Sequence, residues 1–73
     1  MTFGQRVKRF REGLGISQEV ASGLRDISRE EWSRYERDLS LPGFDALAKV
    51  SYGLGVSADW LLGLTDERKN INI

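Results

Sequence analysis

Apolar side chains recur every three or four residues along this chain, in short stretches separated by residues that interrupt helices. The first stretch places Phe3, Val7, Phe10 and Leu14 four, three and four residues apart, which is the spacing of one face of an amphipathic helix. Glycines within residues 13–15 then break the pattern. No stretch alternates apolar and polar residues as a strand would, so the sequence predicts an all-α fold.

Four further helices are predicted from capping and turn residues. A serine hydroxyl just before an apolar-periodic stretch can accept a hydrogen bond from a free amide of the first helical turn. Residues in this position are Ser17, Ser28 and Ser57. Glu31 follows Ser28 by three residues and completes a capping-box pattern. Asp26 and Asp38 are expected to end the second and third helices, because aspartate tolerates a left-handed backbone.

The apolar positions of these helices predict the core. They are Val20, Ala21 and Leu24 on the second helix, Trp32 and Tyr35 on the third, Phe44, Leu47, Ala48, Ser51 and Leu54 on the fourth, and Trp60, Leu61 and Leu64 on the fifth. Residues 65–73 have no sustained pattern and are expected to fray.

Composition excludes several classes of function. A chain of 73 residues forms one small domain. It has no cysteine and no histidine, which removes disulfides, thiolate metal sites and the commonest general base. The acidic residues form no metal-like or paired catalytic set, so we expect no metal, no cofactor and no enzyme activity. No apolar run approaches the roughly 20 residues of a membrane span and no signal peptide is evident, which favours a cytoplasmic protein.

Charge points in two directions. The formal net charge is +0, which argues mildly against nucleic acid because phosphate contacts usually need a basic surface. Four of the eleven basic side chains nevertheless lie in residues 1–11, where there is no acidic side chain. The distribution of charge therefore matters more than its sum.

The order of several motifs resembles the Cro/CI-type (XRE-like) helix-turn-helix family of phage and bacterial repressors. The motifs are RVKRFRE, ISQ, a second IS followed by EWSRYER, a proline at position 42, and LGVSADWLLGLTD. The resemblance covers roughly residues 3–64. It implies a compact five-helix, lambda-repressor-like domain over residues 1–64, a helix-turn-helix motif at about residues 18–37, and a tail at residues 65–73.

The motif can be followed position by position. By resemblance, Ser22 fills the fifth position, where a very small side chain lets the two helices cross closely. Asp26 stands at the ninth position, where the family prefers glycine, and Trp32 and Tyr35 supply the bulky apolar residues of the third helix. Two registers remain open for the second helix. The ungapped one uses Ala21 and Arg25 as its inward positions, and a shift by one residue uses Val20 and Leu24.

The resemblance implies a DNA-binding site. The third helix would enter the major groove, with Arg29, Glu30, Ser33 and Arg34 as base-reading residues. Arginine can bind guanine and glutamate can accept a hydrogen bond from cytosine N4. The alternative for Glu30 is an ion pair with Arg34 four residues later. The implied phosphate-binding residues are Gln18, Ser17, Arg6, Arg37 and Ser40, together with backbone amides at residues 39–41. Lys8 and Arg9 could either add phosphate contacts or form a solvated basic face.

The resemblance also implies an ion pair between Arg11 and Glu36 that ties the first and third helices together. A domain of this size reads only a half-site, so a homodimer on a pseudo-palindrome is expected, with its interface around residues 55–64.

The predicted function is sequence-specific binding of double-stranded DNA by a bacterial or phage-encoded, nucleoid-associated transcriptional regulator that acts as a repressor. No small-molecule ligand is predicted. The alternative is a protein-interaction module on the same fold, such as an antitoxin or antirepressor.

Overall fold

A computed structural model that describes residues 1–66 contains five α-helices and no strand within that range. The helices are α1 (Phe3–Gly13), α2 (Gln18–Gly23), α3 (Arg29–Glu36), α4 (Phe44–Leu54) and α5 (Ala58–Leu61). The predicted all-α fold is therefore confirmed. Most of the predicted tail, residues 65–73, lies outside the described residues.

Polar side chains start four of the five helices. Ser17 accepts a hydrogen bond from the amide of Val20 at 3.1 Å, Ser28 from Glu31 at 3.1 Å and Ser57 from Trp60 at 3.2 Å. These are the caps that the sequence predicts. α1 begins with a complete capping box between Thr2 and Gln5. The T-x-x-Q pattern is visible in the sequence but was not among the predicted caps.

α3 packs against α1 and α2, while α5 packs against α1 and α4. The buried apolar residues are Val7, Ala21, Ile27, Trp32, Tyr35, Val50, Leu54, Val56, Trp60 and Leu61. Trp32 and Tyr35 are 1% and 2% exposed, which confirms that they point inward. Their burial leaves the opposite face of α3 at the surface.

The prediction for α4 is wrong in part. Its buried side is centred on Val50 and Leu54, whereas Phe44 is 93% exposed and Ala48 is also exposed. α4 packs against both α2 and α5, and this two-sided contact turns Val50 inward. Phe44, at the start of the helix, is left facing solvent.

Two other predicted core residues lie at helix ends and are exposed. Leu14 is the C-cap of α1 and precedes Gly15, whose φ is +73°. Leu64 is 73% exposed and follows Gly63, whose φ is +78°. In both places a glycine with left-handed backbone changes the course of the chain, so the helical stripe does not continue.

The structure agrees with the ungapped register of α2 at Ala21, whereas Arg25, the other inward position of that register, is exposed. Ala21 and Ser22 are buried, whereas Val20 and Leu24 are about half exposed. The small pair Ala21–Ser22 lets α2 approach α3 closely.

Candidate nucleic-acid interface

The turn between α2 and α3 orients α3. Asp26 has φ 59°, the left-handed conformation expected for it at the end of the second helix. The amide of Ile27 then donates to the carbonyl of Ser22 at 2.9 Å, and the Ile27 side chain is buried. Ser28 caps α3 immediately afterwards. The turn is thus held by an apolar anchor and by hydrogen bonds on both sides.

The outer face of α3 presents the four predicted base-reading residues together. Arg29, Glu30 and Arg34 are exposed, and Ser33 is half-buried. The alternative role for Glu30, an ion pair with Arg34, is not formed, since the pair between Arg11 and Glu36 is the one salt bridge within residues 1–66. The two arginines and Glu30 are therefore available to an external partner.

Glu31 has a different role from the predicted one. Ser28 does accept a hydrogen bond from the Glu31 amide, but the Glu31 carboxylate accepts one from the hydroxyl of Tyr35 at 2.7 Å. Only half of the expected capping box is thus formed. Burial, and secondly the bond to Glu31, raise the pKa of Tyr35 to about 12. Glu31 is exposed, but its carboxylate is hydrogen-bonded to a residue of its own helix.

The Glu36 carboxylate joins three helices. Arg11 donates to it from Nε at 2.6 Å and from Nη2 at 3.1 Å. Trp32 Nε1 donates at 2.6 Å and Gln18 Nε2 at 3.0 Å. The ion pair implied by the resemblance is therefore present, inside a larger network. Arg11 also donates from Nη1 to the carbonyl of Ile16 at 2.7 Å, which ties the end of the α1–α2 loop to the same network.

The network keeps Glu36 ionised. Burial alone would raise the pKa of Glu36, but hydrogen bonds from its three partners outweigh burial, so the pKa lies below its ordinary value. The carboxylate is more stable ionised in the fold than in the unfolded chain. Its contribution to stability is present above the unfolded pKa of about 4.5 and is lost as the pH falls through the lower folded pKa.

Arg6, a phosphate contact by resemblance, is engaged inside the fold. Its Nη1 donates to the carbonyl of Trp60 at 3.1 Å, and its Cζ lies 5.0 Å from the centre of the Trp60 ring. Its Nε is buried and has no hydrogen-bond partner in the described part of the chain. The guanidinium therefore connects α1 to α5 through a hydrogen bond to a carbonyl and a cation–π contact with an aromatic ring.

The end of α3 uses one of the amides proposed for phosphate. Asp38 has φ 58°, and the next amide, that of Leu39, donates to the carbonyl of Arg34 at 2.9 Å. The Leu39 amide is thus occupied by the helix C-cap, contrary to the prediction. Arg37 is exposed, with its Nε 3.4 Å from the Ser33 carbonyl, and Ser40 is half-buried.

Asp38 has a second role that was not predicted. Its carboxylate accepts hydrogen bonds from the Gly4 amide at 2.9 Å and from the Thr2 hydroxyl at 2.6 Å. It therefore caps α1 from the end of α3. A Cβ on Gly4 would lie closer than 3.0 Å to backbone oxygens of Tyr35 and Glu36, so the close approach requires glycine. No local sequence pattern indicates these contacts, because Gly4 and Thr2 lie 34 and 36 residues before Asp38 in the sequence.

Neither a metal-binding cluster nor a membrane-spanning helix is present in the part of the chain that the structure describes. Across residues 1–66, no group of three or more acidic side chains could hold a metal ion. None of the five helices is long and apolar enough to cross a bilayer.

Three comparisons with known proteins agree with this geometry. A family model of a helix-turn-helix domain matches residues 4–67. The HTH-type transcriptional regulator ImmR of Bacillus subtilis strain 168 is 38% identical over 69 residues, which cover 94% of this chain and 54% of that protein. The SPbeta prophage-derived uncharacterized HTH-type transcriptional regulator YonR of the same strain is 38% identical over 60 residues, covering 82% and 56%. The chain thus spans about half the length of these curated relatives.

A solved structure has the same fold. It is the P22 c2 repressor protein in complex with the synthetic operator 9T, with a TM-score of 0.81, 29% sequence identity, and coverage of 85% of this chain and 94% of that chain. All three relatives carry the name of a regulator or repressor, and none of the three carries the name of an enzyme.

Proposed function

Because the chain belongs to the Cro/CI-type helix-turn-helix family, we propose that it is a sequence-specific, double-stranded DNA-binding transcriptional regulator. It acts as a repressor by covering promoter DNA, and it has no catalytic role. The observation that carries the proposal is the outer face of α3, where Arg29, Glu30 and Arg34 are exposed and have no ion-pair partner among residues 1–66. The likeness to a repressor solved in complex with a synthetic operator supports the proposal that α3 enters the major groove.

The exposed face suggests a base code. Arg29 and Arg34 can each donate two hydrogen bonds to O6 and N7 of guanine, and Ser33 can contact either kind of base edge. Glu30 can accept a hydrogen bond from cytosine N4 and repels acceptor edges. A carboxylate in the groove therefore lowers affinity for most sequences and selects for cytosine at one position.

Phosphate contacts would come from the ends of α2 and α3. Gln18 uses one N–H of Nε2 on Glu36, which leaves the second N–H for a phosphate oxygen. Ser17 accepts from the Val20 amide, and its own hydroxyl hydrogen can still donate. Arg37 and Ser40, at and after the end of α3, complete the set, while Arg6 is withdrawn from it by its contact with Trp60.

The regulator is proposed to bind a pseudo-palindromic operator as a homodimer, because one α3 reads only a half-site. Leu62 and Leu64, exposed after α5, support an interface in the region 55–64. Such a protein would work in the cytoplasm, on the DNA of a bacterial nucleoid or of a phage.

One observation favours a second candidate, a protein-interaction module on the same fold. Leu39, Leu41 and Phe44 follow α3 and are all strongly exposed. Apolar side chains in this segment contribute nothing to phosphate binding, whereas they are common at protein interfaces. An antitoxin or antirepressor would use this surface.

Salt dependence separates the two candidates. Duplexes bound by the protein would first be selected from a random pool, and the affinity for the enriched site would then be measured at rising salt concentration. DNA binding predicts a linear fall of log K with log salt, with a slope of about −0.9 per phosphate contacted. Failure to enrich any duplex would contradict the regulator and favour the interaction module.

Two substitutions separate base reading from phosphate binding. Arg34→Ala should relax preference at one base pair, since a bidentate contact contributes about 1–3 kcal/mol of discrimination. Gln18→Ala should weaken binding to every duplex by a similar factor, about 1 kcal/mol for one hydrogen bond. Affinities for the selected site and its single-position variants measure both effects.

Lys49→Ala is the matched control, because Lys49 is exposed on α4 and its loss also removes one positive charge. This variant should leave the base preference unchanged. Equal loss on all operator variants for Arg34→Ala would refute its role as a base reader.

A further inference from the structure

The Glu36 carboxylate accepts more hydrogen bonds than an ion pair with Arg11 requires. Arg11 alone contacts both of its oxygens, Oε2 at 2.6 Å and Oε1 at 3.1 Å. Trp32 adds a second donor to Oε2 and Gln18 adds a second donor to Oε1. Each oxygen therefore accepts two hydrogen bonds, which fills the usual capacity of a carboxylate. The charge of Glu36 is already balanced without Gln18, so the contact to Gln18 calls for a separate explanation.

That contact determines which way the amide of Gln18 faces. An ionised carboxylate can only accept hydrogen bonds, so the NH₂ group of Gln18 must face Glu36 and its carbonyl oxygen must face away. Glu36 is 7% exposed, whereas Gln18 is only partly buried. The inner N–H of Gln18 is thus held by a buried group, while the side chain as a whole is only partly buried.

From this geometry we infer that Glu36 is a positioning residue for the phosphate contact of Gln18. It holds the side chain of Gln18 in one rotamer before DNA arrives, with the second N–H directed outward. A free glutamine side chain loses rotamer freedom when it binds, whereas a side chain already held by the fold does not. The inference rests on the proposed DNA-binding function and adds a residue that itself touches no DNA.

A double-mutant cycle tests the inference. Affinity for the selected duplex is measured for the wild type, Gln18→Ala, Glu36→Gln and the double variant, at a temperature where circular dichroism finds all four folded. Glu36→Gln should lower affinity by roughly 2- to 10-fold, the cost of ordering one side chain. In the Gln18→Ala background the same substitution should have no effect on affinity.

Two further variants separate positioning from stability. Ser51→Ala removes the buried hydrogen bond, 2.6 Å long, that Ser51 Oγ in α4 donates to the carbonyl of Val56 in the loop between α4 and α5. It should lower stability while leaving affinity unchanged. Glu36→Asp keeps the negative charge beside Arg11 but withdraws the carboxylate from Gln18 by one methylene group. It replaces Glu36→Gln in the cycle if that variant does not fold.

A measurement without DNA gives a second readout. Relaxation of the Gln18 side-chain NH₂ group, measured by NMR, should report an ordered group in the wild type and in Ser51→Ala. The same group should be mobile in Glu36→Gln or Glu36→Asp. A merely structural role for Glu36 would not change the order of this one side chain while the backbone stays folded.

The outcomes are distinct. An equal loss of affinity from Glu36→Gln in both backgrounds, or an unchanged Gln18 side chain, would overturn the inference while leaving the DNA-binding function intact. If Gln18→Ala bound DNA with wild-type affinity, Gln18 would make no phosphate contact, and Glu36 could have no positioning role. Failure of the wild type to bind any duplex would instead refute the proposed function itself.

Discussion

Asp26 and Asp38 are the two non-glycine residues with positive φ in residues 1–66, and they use this conformation differently. Asp38 directs its carboxylate to the start of α1, where Gly4 and Thr2 donate to it. Asp26 is exposed in the α2–α3 turn, and no described hydrogen bond of its side chain offsets the backbone cost. Left-handed backbone costs an ordinary L-residue about 1–2 kcal/mol, and less for aspartate.

Glycine at position 26 should therefore suit the turn better than alanine. Asp26→Gly is expected to be at least as stable as the wild type, and more stable than Asp26→Ala by roughly 1–2 kcal/mol. Free energies of unfolding from urea denaturation measure the difference. Equal stability of the two variants would mean that the turn changes conformation when residue 26 is replaced.

At the scale of the helices, Arg6 makes one of the contacts that connect α1 to α5, in addition to that of the Phe10 ring, whose centre lies 5.8 Å from that of Trp60. Its guanidinium combines a hydrogen bond to the Trp60 carbonyl with a contact over the Trp60 ring. The Arg6 side chain that makes these two contacts is only partly exposed. A cation in this position interacts favourably with the partial negative charge at the C-terminal end of α5. Arg6 is therefore part of the scaffold that positions α5.

Arg6→Ala should lower the free energy of unfolding by about 1–3 kcal/mol, since it removes a charged hydrogen bond and a cation–π contact. It should leave the salt dependence of DNA binding unchanged. Denaturant unfolding and salt titration of affinity measure the two effects.

Arg9→Ala is the control, because Arg9 is exposed on the same helix. Its stability should stay within about 0.5 kcal/mol of the wild type. If the slope of log K against log salt were smaller in magnitude by about 0.9 in Arg6→Ala, Arg6 would contact a phosphate after all.

At the scale of the whole molecule, the proposed dimer depends on the surface after α5. Leu64→Glu should weaken binding to a duplex with two half-sites, because a carboxylate in an apolar interface loses its hydration without a partner. Its affinity for a single half-site should be that of the wild type. Sedimentation of protein–duplex mixtures measures how many chains each duplex binds.

Phe44→Glu provides a matched change at another exposed apolar residue. It should leave occupancy of both half-sites intact. If Phe44→Glu disrupts paired binding and Leu64→Glu does not, the interface lies at the start of α4 and the proposed region is wrong.

Much of this architecture could be predicted because it depends on neighbours in the sequence. The serine caps at residues 17, 28 and 57 bond to amides three residues away. The inward direction of Trp32 and Tyr35 follows from helical spacing, and so does the shared outer face of Arg29, Glu30 and Arg34. The left-handed turn at Asp26 likewise follows from the residue type at the end of a helix.

The sequence by itself thus determined the five helices, their starts and the exposed face of α3. Only the tertiary structure decided the register of α2, the buried side of α4, the capping of α1 by Asp38, and the withdrawal of Arg6 to Trp60. These depend on groups brought together from distant parts of the chain, 34 to 54 residues apart for the Asp38 contact with Gly4 and the Arg6 contact with Trp60. The reason is physical: a charged side chain binds the strongest partner within reach, and only the folded backbone determines which partners those are.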